Sequence, residues 1–169
     1  GHAPTLADNG RTVLFELSMS QYPPDLEQLV FHMRLAGLQI LFAHPERIRY
    51  FQDDISRYEA VIRLGAFGQI TTGSVTGLFG DDIADFSEEL SRKRLVHVIA
   101  SDAHNTRGRP PVISSAMSRL GSWVGDDFAQ RMTEEFPRAF IEGRDPDLPP
   151  PPEEPVRRRS WAARLFRRD

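Results

Sequence analysis

The chain has 169 residues, of which 40% are hydrophobic, enough for one domain with a real core. Its net charge of −3 and isoelectric point near 6.0 argue against a nucleic-acid partner. It holds no Cys, which excludes disulfides, thiolate metal sites and cysteine nucleophiles and suits a cytoplasmic protein.

The first 120 residues alternate between strand and helix patterns. The apolar, β-prone run over 13–17 predicts a strand that carries Glu16. Leu26, Leu29, Val30, Met33 and Leu35 recur at helical spacing and predict a helix over 25–36, stopped by Gly37. The next strand, over 39–43, runs into His44-Pro45-Glu46-Arg47, where the proline predicts an extended backbone at His44. A helix over 54–64 turns Ile55, Tyr58, Val61 and Ile62 inward. A third strand is expected over 67–71. The glycine-rich segment over 73–80 fits no nucleotide-binding fingerprint and reads as a tight loop lining a site. A helix over 82–94, a fourth strand over 96–100 and a helix over 112–120 follow. No run of about 18 apolar residues occurs, so no membrane-spanning helix is expected.

Strands separated by such helices imply an α/β fold of parallel βα units, with the functional site at the carboxyl ends of the strands. That edge collects Glu16, His44, the segment Thr71-Thr72-Gly73-Ser74, and the pair Asp102 and His104. Carboxylate and imidazole are ligands of divalent metals, and alternate residues at a strand end can face one centre. The pattern points to a metal-dependent hydrolase. Glu16, read as buried within an apolar strand, calls for a partner or a metal. Arg47 and Arg109, just beyond these positions, suit bidentate contacts to phosphate. Glu46 and Arg49 read as solvated charges, and His97 and His32 as structural.

Phe42-Ala43-His44-Pro45-Glu46-Arg47, the run Thr72-Gly73-Ser74-Val75-Thr76-Gly77-Leu78-Phe79-Gly80, and Ile99-Ala100-Ser101-Asp102-Ala103-His104-Asn105 followed by Arg109-Pro110-Pro111 resemble one family. They are similar to the bacterial tyrosine-protein phosphatases of the PHP (polymerase and histidinol phosphatase) superfamily, of the CpsB/YwqE type. The resemblance implies the C-terminal portion of a distorted (β/α)7 barrel and a cluster of divalent metals, manganese first, with zinc, iron and magnesium as alternatives. It implies hydrolysis of phosphotyrosine on the tail of a bacterial tyrosine kinase that regulates capsule and exopolysaccharide synthesis. Glu16, His44, Asp102 and His104 would be metal ligands. Arg47 and Arg109 would hold the phosphate, with Asp102 acting in catalysis and Ser74 at the substrate. Family members carry an H-x-H pair on their first strand, and this sequence has none. Two other readings stand beside this one, a phosphoesterase for small-molecule phosphates and a non-catalytic regulatory scaffold.

The expected barrel domain covers 1–145, followed by a proline-rich linker over 146–156 and an arginine-rich tail over 157–169. As a helix the tail sets Trp161, Ala162, Leu165 and Phe166 among arginines, which suits peripheral contact with an anionic inner-membrane surface.

Overall fold

The computed structural model describes residues 4–150. The arginine-rich tail and the linker beyond 150 lie outside the described residues. Four strands, β1 (Thr12–Phe15), β2 (Gln39–Ala43), β3 (Phe67–Thr71) and β4 (Val98–Ala100), form one sheet in the order β1-β2-β3-β4. All three pairings are parallel. This is the α/β architecture expected from the alternating pattern, since parallel neighbours require a crossover between them. The crossovers carry α1 (Leu26–Leu35), then α2 (Arg49–Asp53) and α3 (Ile55–Arg63), then α4 (Thr72–Thr76) and α5 (Asp81–Arg92). Three helices, α6 (Ser114–Val124), α7 (Asp126–Thr133) and α8 (Glu135–Ile141), follow the sheet. Among the described residues no helix is long and apolar enough to cross a membrane.

β2 is buried at every position, as a central parallel strand covered on both faces must be. The core joins Phe42, Ile70 and Ile99 of the sheet to Val30 of α1, Tyr58 of α3, Leu90 of α5, and Leu120, Met132 and Phe136 of the final helices. Buried Gln39 is satisfied at the amino end of the sheet. It accepts from the Thr12 hydroxyl at 2.7 Å and donates to Asp145 at 2.7 Å. Arg11 pairs with Asp145 at 2.9 Å, and Asn9 donates to the Phe140 carbonyl at 2.7 Å, so the two ends of the described chain are tied together.

Local chemistry sets the helix starts. Asp54 accepts from the Ser56 N–H and caps α3, and Asp81 and Asp82 stand in the first turn of α5 where the helix dipole favours them. The segment expected as a loop over 73–80 begins instead as helix α4, because Thr71 Oγ1 accepts from the Ser74 N–H and Gly77, at φ 84°, closes the turn.

Candidate active site

The sheet register aligns the strand ends. Phe15 stands opposite Phe42, Ala43 opposite Gln69, and Thr71 opposite Ala100. The residues that leave these strands therefore emerge on one edge: Glu16, His44, Thr72, and Ser101 with Asp102.

His44 is buried and its Nε2 lies 3.2 Å from Glu16 Oε1. Glu16 was expected inside β1; it lies one residue past the strand with a side chain 67% exposed, reaching across to the histidine. The backbone at His44 is left-handed (φ 38°, ψ 54°), not extended. The chain must turn at once from β2 into the single 3-10 turn Pro45–Arg47, where the Arg47 N–H donates to the His44 carbonyl at 3.0 Å. That requirement overrides the preference of a pre-proline residue, and such strain collects at functional sites. Burial lowers the His44 pKa, with the Arg47 charge acting the same way against Glu16 and Asp102. The imidazole is therefore neutral near pH 7, the form that binds metals.

Asp102 has a left-handed backbone too (φ 49°) and receives two guanidinium groups on one oxygen. Arg47 Nη1 lies 3.1 Å from Asp102 Oδ2, and Arg109 Nη2 contacts the same atom. Asn105 builds the loop that returns Arg109 to this point. Its Oδ1 accepts from the backbone N–H groups of Arg107, Gly108 and Arg109 at 3.1, 2.6 and 3.1 Å. Asn105 had no assigned role in the sequence, although an Asn ahead of a glycine turn is a signal for such a loop. His104 meets Asp102 more closely through the backbone than through the carboxylate. Its Nδ1 sits 2.8 Å from the Asp102 carbonyl oxygen and 3.8 Å from Oδ1, because the left-handed turn at Asp102 has ended the strand geometry.

Glu46 is the largest departure from expectation. It is fully buried, not solvated. Its Oε1 accepts from the Thr71 N–H at 3.0 Å and the Ser74 hydroxyl at 2.6 Å, while Oε2 has no partner. Burial pushes its pKa up to about 7 against those hydrogen bonds. Ser74, expected at the substrate, is itself fully buried with its hydroxyl committed to Glu46. Both residues lie beneath the site and clamp the His44–Arg47 turn to the end of β3.

The donor types fit a divalent cation. His44 is a buried neutral imidazole whose Nδ1 has no partner and whose Nε2 faces a carboxylate. The number of donors is short of a full coordination shell. Among the described residues no three His, Asp or Glu side chains converge on one point. The structure brings Glu16 to His44, and brings His104, Arg47 and Arg109 to Asp102.

The family model for capsular polysaccharide synthesis, CpsB/CapC, matches residues 1–142. The chain belongs to the CpsB/CapC family. Within it, the tyrosine-protein phosphatase YwqE of Bacillus subtilis (strain 168) is 33% identical over 147 residues, which cover 87% of this chain and 57% of the relative. The tyrosine-protein phosphatase CpsB of Streptococcus pneumoniae is 29% identical over 144 residues, covering 82% and 58%. A solved chain, from crystal structures of YwqE and CpsB described as unique metal-dependent tyrosine phosphatases, matches with a TM-score of 0.79 at 31% identity, over 87% of this chain and 58% of that one. This chain thus spans a little over half the length of these relatives.

Proposed function

We propose that this CpsB/CapC chain contributes the phosphate-binding residues and two metal-donor pairs of a metal-dependent phosphotyrosine phosphatase acting in capsule or exopolysaccharide synthesis. The observation that carries the reading is the convergence of Arg47 and Arg109 on Asp102, beside His44 and Glu16, at one sheet edge. Two guanidiniums sharing one carboxylate form a site for a tetrahedral dianion, which can take five-donor forks that a single carboxylate oxygen leaves unused. His44, Glu16, Asp102 and His104 are the residues that would hold metal, manganese being the first candidate. A divalent ion bound there supplies a water of lowered pKa and charge neutralisation at phosphorus.

The protein's own residues do the rest. Arg47 and Arg109 orient the phosphate and stabilise charge on its equatorial oxygens. Asp102 holds the two guanidiniums in register until substrate competes for them. Glu46, Thr71 and Ser74 fix the turn on which His44 and Arg47 ride. The aryl oxide of tyrosine is a good leaving group and needs little protonation. The substrate in this reading is the phosphotyrosine tail of a bacterial tyrosine kinase that regulates capsule and exopolysaccharide synthesis at the membrane, which would place the protein at the inner membrane surface.

Hydrolysis of a phosphotyrosine peptide with added manganese tests the reading. Metal-dependent phosphate release that falls about 100-fold in Arg47→Ala is expected. A peptide left intact by the metal-supplied protein would contradict it. The absence of three converging donors among the described residues favours a second reading, a phosphotyrosine-binding module without turnover. Binding of the peptide without hydrolysis would select it.

A further inference from the structure

The tip that follows α4 carries an apolar feature that phosphate binding alone does not use. The partly exposed Phe79 ring lies against both arginines of the anion site, with Arg47 Cζ 4.7 Å and Arg109 Cζ 5.7 Å from its centroid. Beside it Leu78 is 59% exposed. The two side chains rest on Gly73. A Cβ there would meet Phe79 Cε2 at 2.7 Å and Leu78 Cδ2 at 3.3 Å, so the missing side chain is what seats them. The tip is also closed by the chain itself, the Leu78 N–H donating to the Gly73 carbonyl at 2.8 Å and the Gly80 N–H to the Gly77 carbonyl at 3.1 Å. An apolar wall held this way, immediately against the two guanidiniums that share Asp102, has the shape of a recognition element for a ligand that is anionic at one end and aromatic at the other.

We propose that Phe79, seated on Gly73 and flanked by Leu78, makes the Arg47–Arg109 site select aryl over alkyl phosphate monoesters. The inference rests on the phosphate-site reading above and adds the residue that reads the group behind the phosphate. With the phosphate on the two guanidiniums that lie against Phe79, the ring of a phosphotyrosine directed to that side would come within the range of about 4.5–7 Å at which aromatic pairs attract. An alkyl ester offers no such face. The preference this contact supports is roughly three- to tenfold in affinity.

Calorimetric titration of the protein with phenyl phosphate, ethyl phosphate and inorganic phosphate tests the proposal, in wild type, Phe79→Leu and Phe79→Tyr. The expected result is a phenyl-to-ethyl affinity ratio of roughly three to ten in wild type, kept by Phe79→Tyr and reduced to about one by Phe79→Leu. A ratio of one in wild type, or one unchanged in Phe79→Leu, overturns the proposal while inorganic phosphate binding leaves the anion site standing. No binding of any of the three to wild type overturns both. Folding of each variant is read from its circular dichroism spectrum and unfolding midpoint, and Phe79→Tyr supplies the aromatic control should the leucine variant fail to fold.

Discussion

Glu46 sits wholly inside the fold with one carboxylate oxygen triply engaged and the other alone. Its folded pKa, raised by burial from 4.5 to about 7, means that the folded protein holds this proton more tightly than the unfolded chain does. The contribution to stability is full below pH 4.5, declines as pH rises toward 7, and stays lost above it. The change across that window is about 3 kcal/mol. Urea unfolding of wild type and Glu46→Gln at a series of pH values should show this slope in wild type and its removal in the variant. Equal slopes would show that Glu46 does not hold the proton. His44, Arg47, Asp102 and His104 were recognisable from the sequence because their chemistry is visible in the residue types and in their positions after apolar runs. Glu46 was not, because a carboxylate among Pro45, Arg47 and Arg49 has the signature of a solvated charge. Its burial follows from the Thr71 and Ser74 hydroxyls, which meet it only once β3 lies beside β2. The left-handed backbones of His44 and Asp102 were hidden for the same reason, since both are imposed by where the chain must go next.

At the scale of elements, the strand edge depends on how closely β3 approaches its cover. A Cβ at Gly68 would lie 2.0 Å from Tyr58 Oη and 3.1 Å from the Leu95 carbonyl. The tyrosine cannot simply step aside, since it is fully buried and its hydroxyl donates to that carbonyl at 3.2 Å. Gly68→Ala should therefore destabilise the protein by about 1–3 kcal/mol, read as a lower urea midpoint at unchanged slope. An unchanged midpoint would mean that β3 has room the structure does not show. β2 and β3 match their expected limits residue for residue, because each is a compact run bounded by a glycine or proline. β1 and β4 came out shorter than expected. The β4 segment loses its first two residues although the His97 N–H still donates to the Gly68 carbonyl at 2.8 Å. Helices α7 and α8 were not legible, with Gly125 breaking the periodicity before α7 and Pro137 falling in the first turn of α8, a position where proline is tolerated.

The described residues centre on a four-stranded parallel sheet whose amino edge is tied shut by Arg11, Gln39 and Asp145 and whose carboxyl edge carries Glu16, His44 and Asp102. This polarity is general to parallel α/β folds and explains why one edge could be picked out before any contact was known. The shortfall of metal donors was legible in the missing H-x-H pair, whereas which of the remaining side chains meet was not, because that depends on the folded geometry. The arginine–carboxylate–arginine bridge on Asp102, at the same edge as the Glu16–His44 pair, makes phosphate recognition the property that this chain's own residues support most fully. The most direct test is calorimetric titration of phosphotyrosine into wild type and Arg47→Ala, with and without manganese. Binding to wild type should tighten with metal and weaken at least about tenfold in the variant, the loss of a charged hydrogen-bonding group. No binding to wild type, or equal affinities in the two proteins, would contradict phosphate recognition by these residues.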